Sequence, residues 1–161
     1  MKVYPTKDIA ECLFSFFWTV SKTMYSSVNV QFHDAQYVLP TKHSVVNDFS
    51  KDLFLFLSTS GMYRKFQAQA MDCDDFALIA HSWASVKHNL HMYTRGWRKD
   101  IGAGIAFGQV SYVPDGFSLH RANIFFTIEK GKMKIFGYEP QACMIFEFTK
   151  KEIASIISIE L

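Results

Sequence analysis

Residues 118–142 read SLHRANIFFTIEKGKMKIFGYEPQA, and the phase of this stretch decides how the chemistry-bearing residues are arranged. Two runs rich in aromatic and β-branched residues, 118 to 128 and 133 to 138, flank Glu129-Lys130-Gly131-Lys132. Glycine accepts the positive φ that a tight hairpin turn demands, so the two runs are expected to pair antiparallel. A loop centred on Lys130 and Gly131 sets residue 120 opposite 141 and residue 122 opposite 139. Side chains alternate between faces along a strand. His120, Glu139 and Gln141 then share one face, and Asn123 falls on the other with a structural role. A β-bulge would shift the register and undo this arrangement.

The second decisive stretch is Asp72-Cys73-Asp74-Asp75-Phe76-Ala77-Leu78-Ile79-Ala80. Acidic residues followed by Phe76, Ile79, Ala80, Trp83 and Val86 mark a helix start. Asp72 is the expected N-cap, Cys73 lies in the first turn, and the helix is expected to run to about His88. A helix N-terminus favours a thiolate through its free N–H groups and the macrodipole. Asp72, Asp74 and Asp75 act against this, because negative charge raises a thiol pKa. An imidazolium would offset them. In the hairpin register His120 can reach Cys73 while Glu139 or Gln141 holds the far ring nitrogen.

The remaining chain frames these two stretches. Residues 6 to 24 read as a helix capped by Thr6, with Ile9, Leu13, Phe16, Phe17 and Val20 at helical spacing. Residues 27 to 39 read as extended and 45 to 60 as a second helix ending before Gly61. From residue 105 the alternation is that of a sheet, and 155 to 159 suit a closing strand or short helix. The chain of 161 residues, 49% hydrophobic and 20% charged with 16 Phe, suits one folded domain over residues 1–161. A net charge of +2 gives no case for nucleic acid. The apolar run at 12 to 20 is too short to span a membrane, and Asp8 and Glu11 break the basic flank a signal peptide needs, so no membrane partner is expected. Cys12, Cys73 and Cys143 are too few and too widely spaced for a disulfide framework. Reduced thiols suit a cytoplasmic protein.

Cys73-Asp74-Asp75-Phe76-Ala77, then His120-Arg121-Ala122-Asn123, then Tyr138-Glu139-Pro140-Gln141 resemble the three motifs of transglutaminase-like and papain-like cysteine proteins. The resemblance covers roughly residues 67 to 142; residues 1 to 60 carry none. The Glu-Pro-Gln form is also similar to the papain-like C-terminal domain of certain fungal chimeric lectins, which are calcium-dependent cysteine proteases. The pattern also resembles small phage-encoded transglutaminase-like proteins. The resemblance implies an α+β fold with N-terminal helices and a catalytic-position helix packed on an antiparallel sheet. It implies a Cys-His-Glu triad of Cys73, His120 and Glu139, with Gln67 at the spacing of an oxyanion glutamine and Gln69 competing for that role. The activity so implied is cysteine-dependent acyl transfer, a thiol protease or other hydrolase cutting a peptide, isopeptide or amide bond in a peptide or protein substrate.

Two further readings follow. Asp74, Asp75 and Gln141, with Asp72 and Glu139, are hard oxygen donors that suit calcium, although the sequence requires no cofactor. His81, His88 and His91 make a poor zinc set, and Arg95, Trp97, Arg98 and Lys99 read as a cleft rim. The alternative to an enzyme is a catalytically silent binding or assembly module on the same fold, located in a virion with a phage structural partner.

Overall fold

The computed structural model describes residues 2–20, 27–62, 72–94, 103–114 and 118–161. Its centre is the expected hairpin. Strand β6 (His120–Glu129) pairs antiparallel with β7 (Lys132–Glu139). Lys130 and Gly131 both take positive φ, 50° and 77°, so the two-residue turn follows the twist of the strands. Asn123 stands opposite Tyr138, which is the register read from the sequence, with no bulge between them and the turn.

The hairpin lies inside a six-stranded sheet of order β2-β9-β5-β6-β7-β8. Its other members are β2 (Asn29–Gln31), β5 (Phe107–Tyr112), β8 (Met144–Phe146) and β9 (Ser158–Glu160). The sheet is antiparallel as expected except at its edge, where β2 and β9 pair parallel. A second sheet, β1-β3-β4, joins Val3–Pro5, Gln36–Val38 and Ala103–Ile105, and β3 and β4 are parallel. Strands of three residues carry too few alternating positions to be paired from sequence.

Helices cover both faces of the larger sheet. On one side α1 (Thr6–Trp18) buries Ile9, Leu13 and Phe17 with Ala122, Ile124 and Phe126 of β6. Phe16 and Val20 pack against the same cluster, as the helical spacing implies. Thr6 is not the cap, because Pro5 holds that position and the Thr6 hydroxyl donates to the Asp34 carbonyl instead. The helix stops at Trp18; residues 21–26 lie outside the described ones.

On the other side lie α2 (Lys42–Ser44), a π-helical turn (Val45–Phe49), α3 (Ser50–Thr59) and α4 (Cys73–Thr94). Leu53, Leu57, Phe76, Ala80 and Ala84 from these helices meet Phe107, Phe125, Phe136 and Tyr138 of the sheet. The six consecutive buried positions of β6, Ala122 to Thr127, follow from this sandwiching. Helix α4 is longer than expected and passes His88 to reach Thr94. A short helix α5 (Lys150–Ala154) with a Thr149–Glu152 capping box leads into the closing strand β9. Among the described residues, no helix is long and apolar enough to cross a membrane.

Strand β9 threads between β2 and β5, and one glycine makes room for it. A Cβ at Gly108 would land on the Glu160 carbonyl oxygen and 2.8 Å from Leu161 Cδ2. Backbone cannot move aside as a side-chain tip can. Gly108→Ala is therefore expected to destabilise the protein by about 1–3 kcal/mol, read from the denaturant midpoint. An unchanged midpoint would show that β9 is not held against β5 in solution.

Candidate functional site

The acidic stretch before α4 folds as a reciprocal cap. Asp72 Oδ1 accepts the Asp74 N–H at 3.2 Å, and Asp75 Oδ2 accepts the Asp72 N–H at 3.2 Å. Two N–H groups with no helical partner are thereby satisfied, as in a capping box. Cys73 is the first helical residue, so its expected place in the first turn is where the structure has it.

The helix is fixed to the sheet by Asn123. Its side chain is fully buried, and Nδ2 donates to the Ala77 carbonyl at 2.8 Å and the Gly108 carbonyl at 3.0 Å. This anchor brings the start of α4 against the start of β6. There the Arg121 N–H donates to Cys73 Sγ at 3.4 Å. The thiol itself points to Asp74 Oδ1 at 3.8 Å.

His120 and Glu139 form a separate pair. Nε2–H of His120 donates to Glu139 Oε2 at 2.8 Å, with 24% of each side chain exposed. The Tyr112 ring meets the imidazole edge-on at 5.5 Å, and the Gln141 N–H donates to Glu139 Oε1 at 3.1 Å. Strand alternation sets which layer each β6 side chain is closest to. His120 has the parity of Ala122, Ile124 and Phe126, which pack with α1, whereas Asn123 and Phe125 face α4. Among the described residues no hydrogen bond joins Cys73 to His120. The sequence reading set Asn123 opposite His120 but had no means of knowing which face α4 covers.

The electrostatics of the thiol follow from its surroundings. Burial pushes the Cys73 thiol above its ordinary range, and the Asp74 and Asp72 carboxylates push the same way. The Arg121 N–H opposes them. Cys12, raised to about 11 by burial, and Cys143, raised mainly by burial, move in the same direction. A protonated thiol is a poor nucleophile and a poor metal ligand.

The other named residues divide. Gln67 and Gln69, like Arg95, Trp97, Arg98 and Lys99, lie outside the described residues. Asp75 is engaged in the cap and Asp74 accepts from the thiol. Among the described residues, no three His, Cys, Asp or Glu side chains are grouped to hold a metal ion. His81 Nδ1 accepts from Gln109 Nε2 at 3.3 Å, and His88 Nε2 meets the Ala103 carbonyl at 2.9 Å, so each is engaged singly. Sequence reasoning did not single out the Gln141 amide nitrogen as a ligand donor, yet it is buried with no hydrogen-bond partner among the described residues. Trp83 Nε1, Asn123 Oδ1 and the Tyr138 hydroxyl share this state, and each such group calls for an explanation such as an ordered water or a functional role.

No family model and no curated protein sequence matches the chain. Solved structures of Polyporus squamosus lectin share its fold. One, titled "PSL1a-E64 complex", is 14% identical at a TM-score of 0.65, over 99% of this chain and 51% of that one. Another, of the lectin bound to the human-type influenza-binding epitope Neu5Acα2-6Galβ1-4GlcNAc, is 14% identical at a TM-score of 0.62, over 99% of this chain and 49% of that one. The chain spans about half the length of each. The identification as a papain-like or transglutaminase-like cysteine protein is corrected by these neighbours, which are structures of a lectin. The reading as a cysteine-dependent acyl-transfer enzyme, a thiol protease or hydrolase, is corrected with it. In this chain the thiol and the His120–Glu139 pair face different partners.

The carboxylate contribution at Cys73 can be isolated. Asp74→Asn removes one charge beside the thiol without disturbing the Asp72–Asp75 cap. It is expected to lower the thiol titration midpoint and to speed alkylation at neutral pH by roughly twofold to fivefold, the range an exposed charge supports. The pH dependence of thiolate ultraviolet absorbance checks this. An unmoved midpoint would leave the rise to burial and Asp72.

Proposed function

We propose that the chain is a binding module that takes a glycan at the sheet end bounded by His120, Glu139, Gln141 and the start of α4. The observation that carries the reading is the buried, unpartnered Gln141 amide nitrogen beside the His120–Glu139 pair. Sugar hydroxyls both donate and accept. A site that offers an open N–H donor, a carboxylate acceptor and an imidazole matches them group by group. The neighbouring lectin structure carries a sialylated trisaccharide, which supports a glycan over a peptide as the partner class. The phage-partner form of the binding-module reading has no comparable support.

Isothermal titration with Neu5Acα2-6Galβ1-4GlcNAc tests the proposal. Gln141→Ala and Glu139→Ala are each expected to weaken binding by roughly tenfold, the loss of one buried hydrogen bond to a charged or open partner. Cys73→Ala is expected to bind as the parent does. Cys73-dependent cleavage of a thioester or peptide substrate would overturn the reading. So would unchanged glycan affinity in both the Gln141 and Glu139 variants. Repeating the titration with calcium and with a chelator tests whether Asp74, Asp75 and Gln141 act through a cation.

A further inference from the structure

A second concavity lies at the other end of α4. It begins at Ala84, about 16 Å from Cys73 at the helical rise of 1.5 Å per residue. Its volume is about 670 Å³, inside the range of small-molecule sites, roughly 300–1,000 Å³. The floor is apolar, with Val38, Leu39, Val45, Phe49, Ile105 and Phe107 contributing. Phe49 is held between the rings of Phe107 at 5.0 Å and Tyr138 at 5.5 Å, so this wall is formed before any ligand arrives.

Among the described residues, three charged side chains line the cleft: Asp48, Asp52 and Lys87. Asp52 is ion-paired with Lys87, whose ammonium also lies 5.4 Å from the Trp83 ring centre. His88 directs Nε2 to the Ala103 carbonyl. Asp48 has no hydrogen bond or ion pair to any described residue. With the histidines neutral, two carboxylates and one ammonium leave the lining at −1. Asp48 sits on the π-helical turn Val45–Phe49, where Ser50 donates both N–H and hydroxyl to the Val45 carbonyl, the hydroxyl at 2.7 Å. Single π-helical turns are uncommon and recur at functional sites. This one sets a carboxylate at the rim and an aromatic ring in the floor one residue apart.

We propose that this cleft binds a small apolar molecule carrying one ammonium group, an aryl- or alkylamine, whose cation pairs with Asp48 while its hydrocarbon part rests on the floor. A carboxylate ligand is rejected by the unpaired Asp48. A neutral ligand of the same shape keeps the apolar contact and loses the ion pair. The site is independent of the glycan reading, since none of its lining residues belongs to that end of the sheet.

Three ligands of one shape test it: phenylbutylamine, phenylbutanol and phenylbutyrate, titrated into the full chain by NMR with resonances of Ile105 and Phe107 followed. The amine is expected to bind about threefold to fivefold tighter than the alcohol, as an exposed ion pair supports, and the carboxylate weakest. Asp48→Asn is expected to bring the amine down to the affinity of the alcohol and leave the alcohol unchanged, and Asp48→Glu to restore the difference. Equal affinity for all three ligands in the parent chain would overturn the proposal. So would an unchanged amine preference in Asp48→Asn, or shifts that leave Ile105 and Phe107 unmoved. The ranking in the parent chain decides the case by itself should a variant fold poorly.

Discussion

The buried amide of Asn123 is the interaction on which the arrangement of this protein turns. Its two N–H bonds are used on carbonyls of different elements, Ala77 in α4 and Gly108 in β5, from a side chain rooted in β6. Three elements are thus locked by one fully buried group. Both carbonyls also sit in regular backbone ladders, so loss of the Asn123 side chain removes the link between elements and leaves a buried gap. Because α4 is held on the Asn123 face, the start of the helix can meet β6 only at its edge, through the Arg121 N–H. His120, three residues before Asn123, is turned to the opposite face by the alternation of the strand. The start of α4 thus reaches the β6 backbone beside His120, with the Arg121 N–H on Cys73 Sγ.

The same stretch of chain serves two opposed demands at Cys73. A helix start favours carboxylates, since they satisfy free N–H groups and complement the positive end of the dipole. A thiolate at the same place is disfavoured by those carboxylates. The structure resolves the conflict for the helix: Asp72 and Asp75 cap each other, and Asp74 accepts from the protonated thiol. Burial adds to the carboxylates in keeping the proton on sulfur, and a single backbone N–H is all that opposes them. The cysteine stands where a helix start favours a thiolate, among carboxylates and burial that push its titration the other way.

How much of this could be read from the sequence depends on what fixes each feature. The hairpin register was legible because the Lys130–Gly131 turn sets its phase and every later pairing follows from it. The His120–Glu139 proximity came with the register. The face occupied by α4 was not legible, because Ala122 to Thr127 are buried on both sides and their composition shows no preferred side. The resemblance of short motifs to cysteine proteins rested on residue order, and order does not record the face on which a helix docks. The second sheet was missed because its strands have three residues each, too short for a period to emerge. The π-helical turn has no sequence mark, since Val45 to Phe49 would suit an ordinary helix equally well.

That turn also borders the cleft beyond Ala84. A π-helical turn inserts one extra residue and widens the helix locally, which loosens the packing of its own backbone. Here the loss is offset on both sides of the turn. Ser50 returns its hydroxyl to the Val45 carbonyl, and Phe49 packs into the ring cluster of Phe107 and Tyr138. Phe49 packs on Phe107 and Tyr138 and lines the cleft that Ala84 and Leu90 of α4 bound on the other side. A wall held in place by aromatic contacts loses little freedom when a ligand enters, so the binding energy of an apolar body is not spent on ordering the site. The cleft and the π-helical turn share Val45, Asp48 and Phe49.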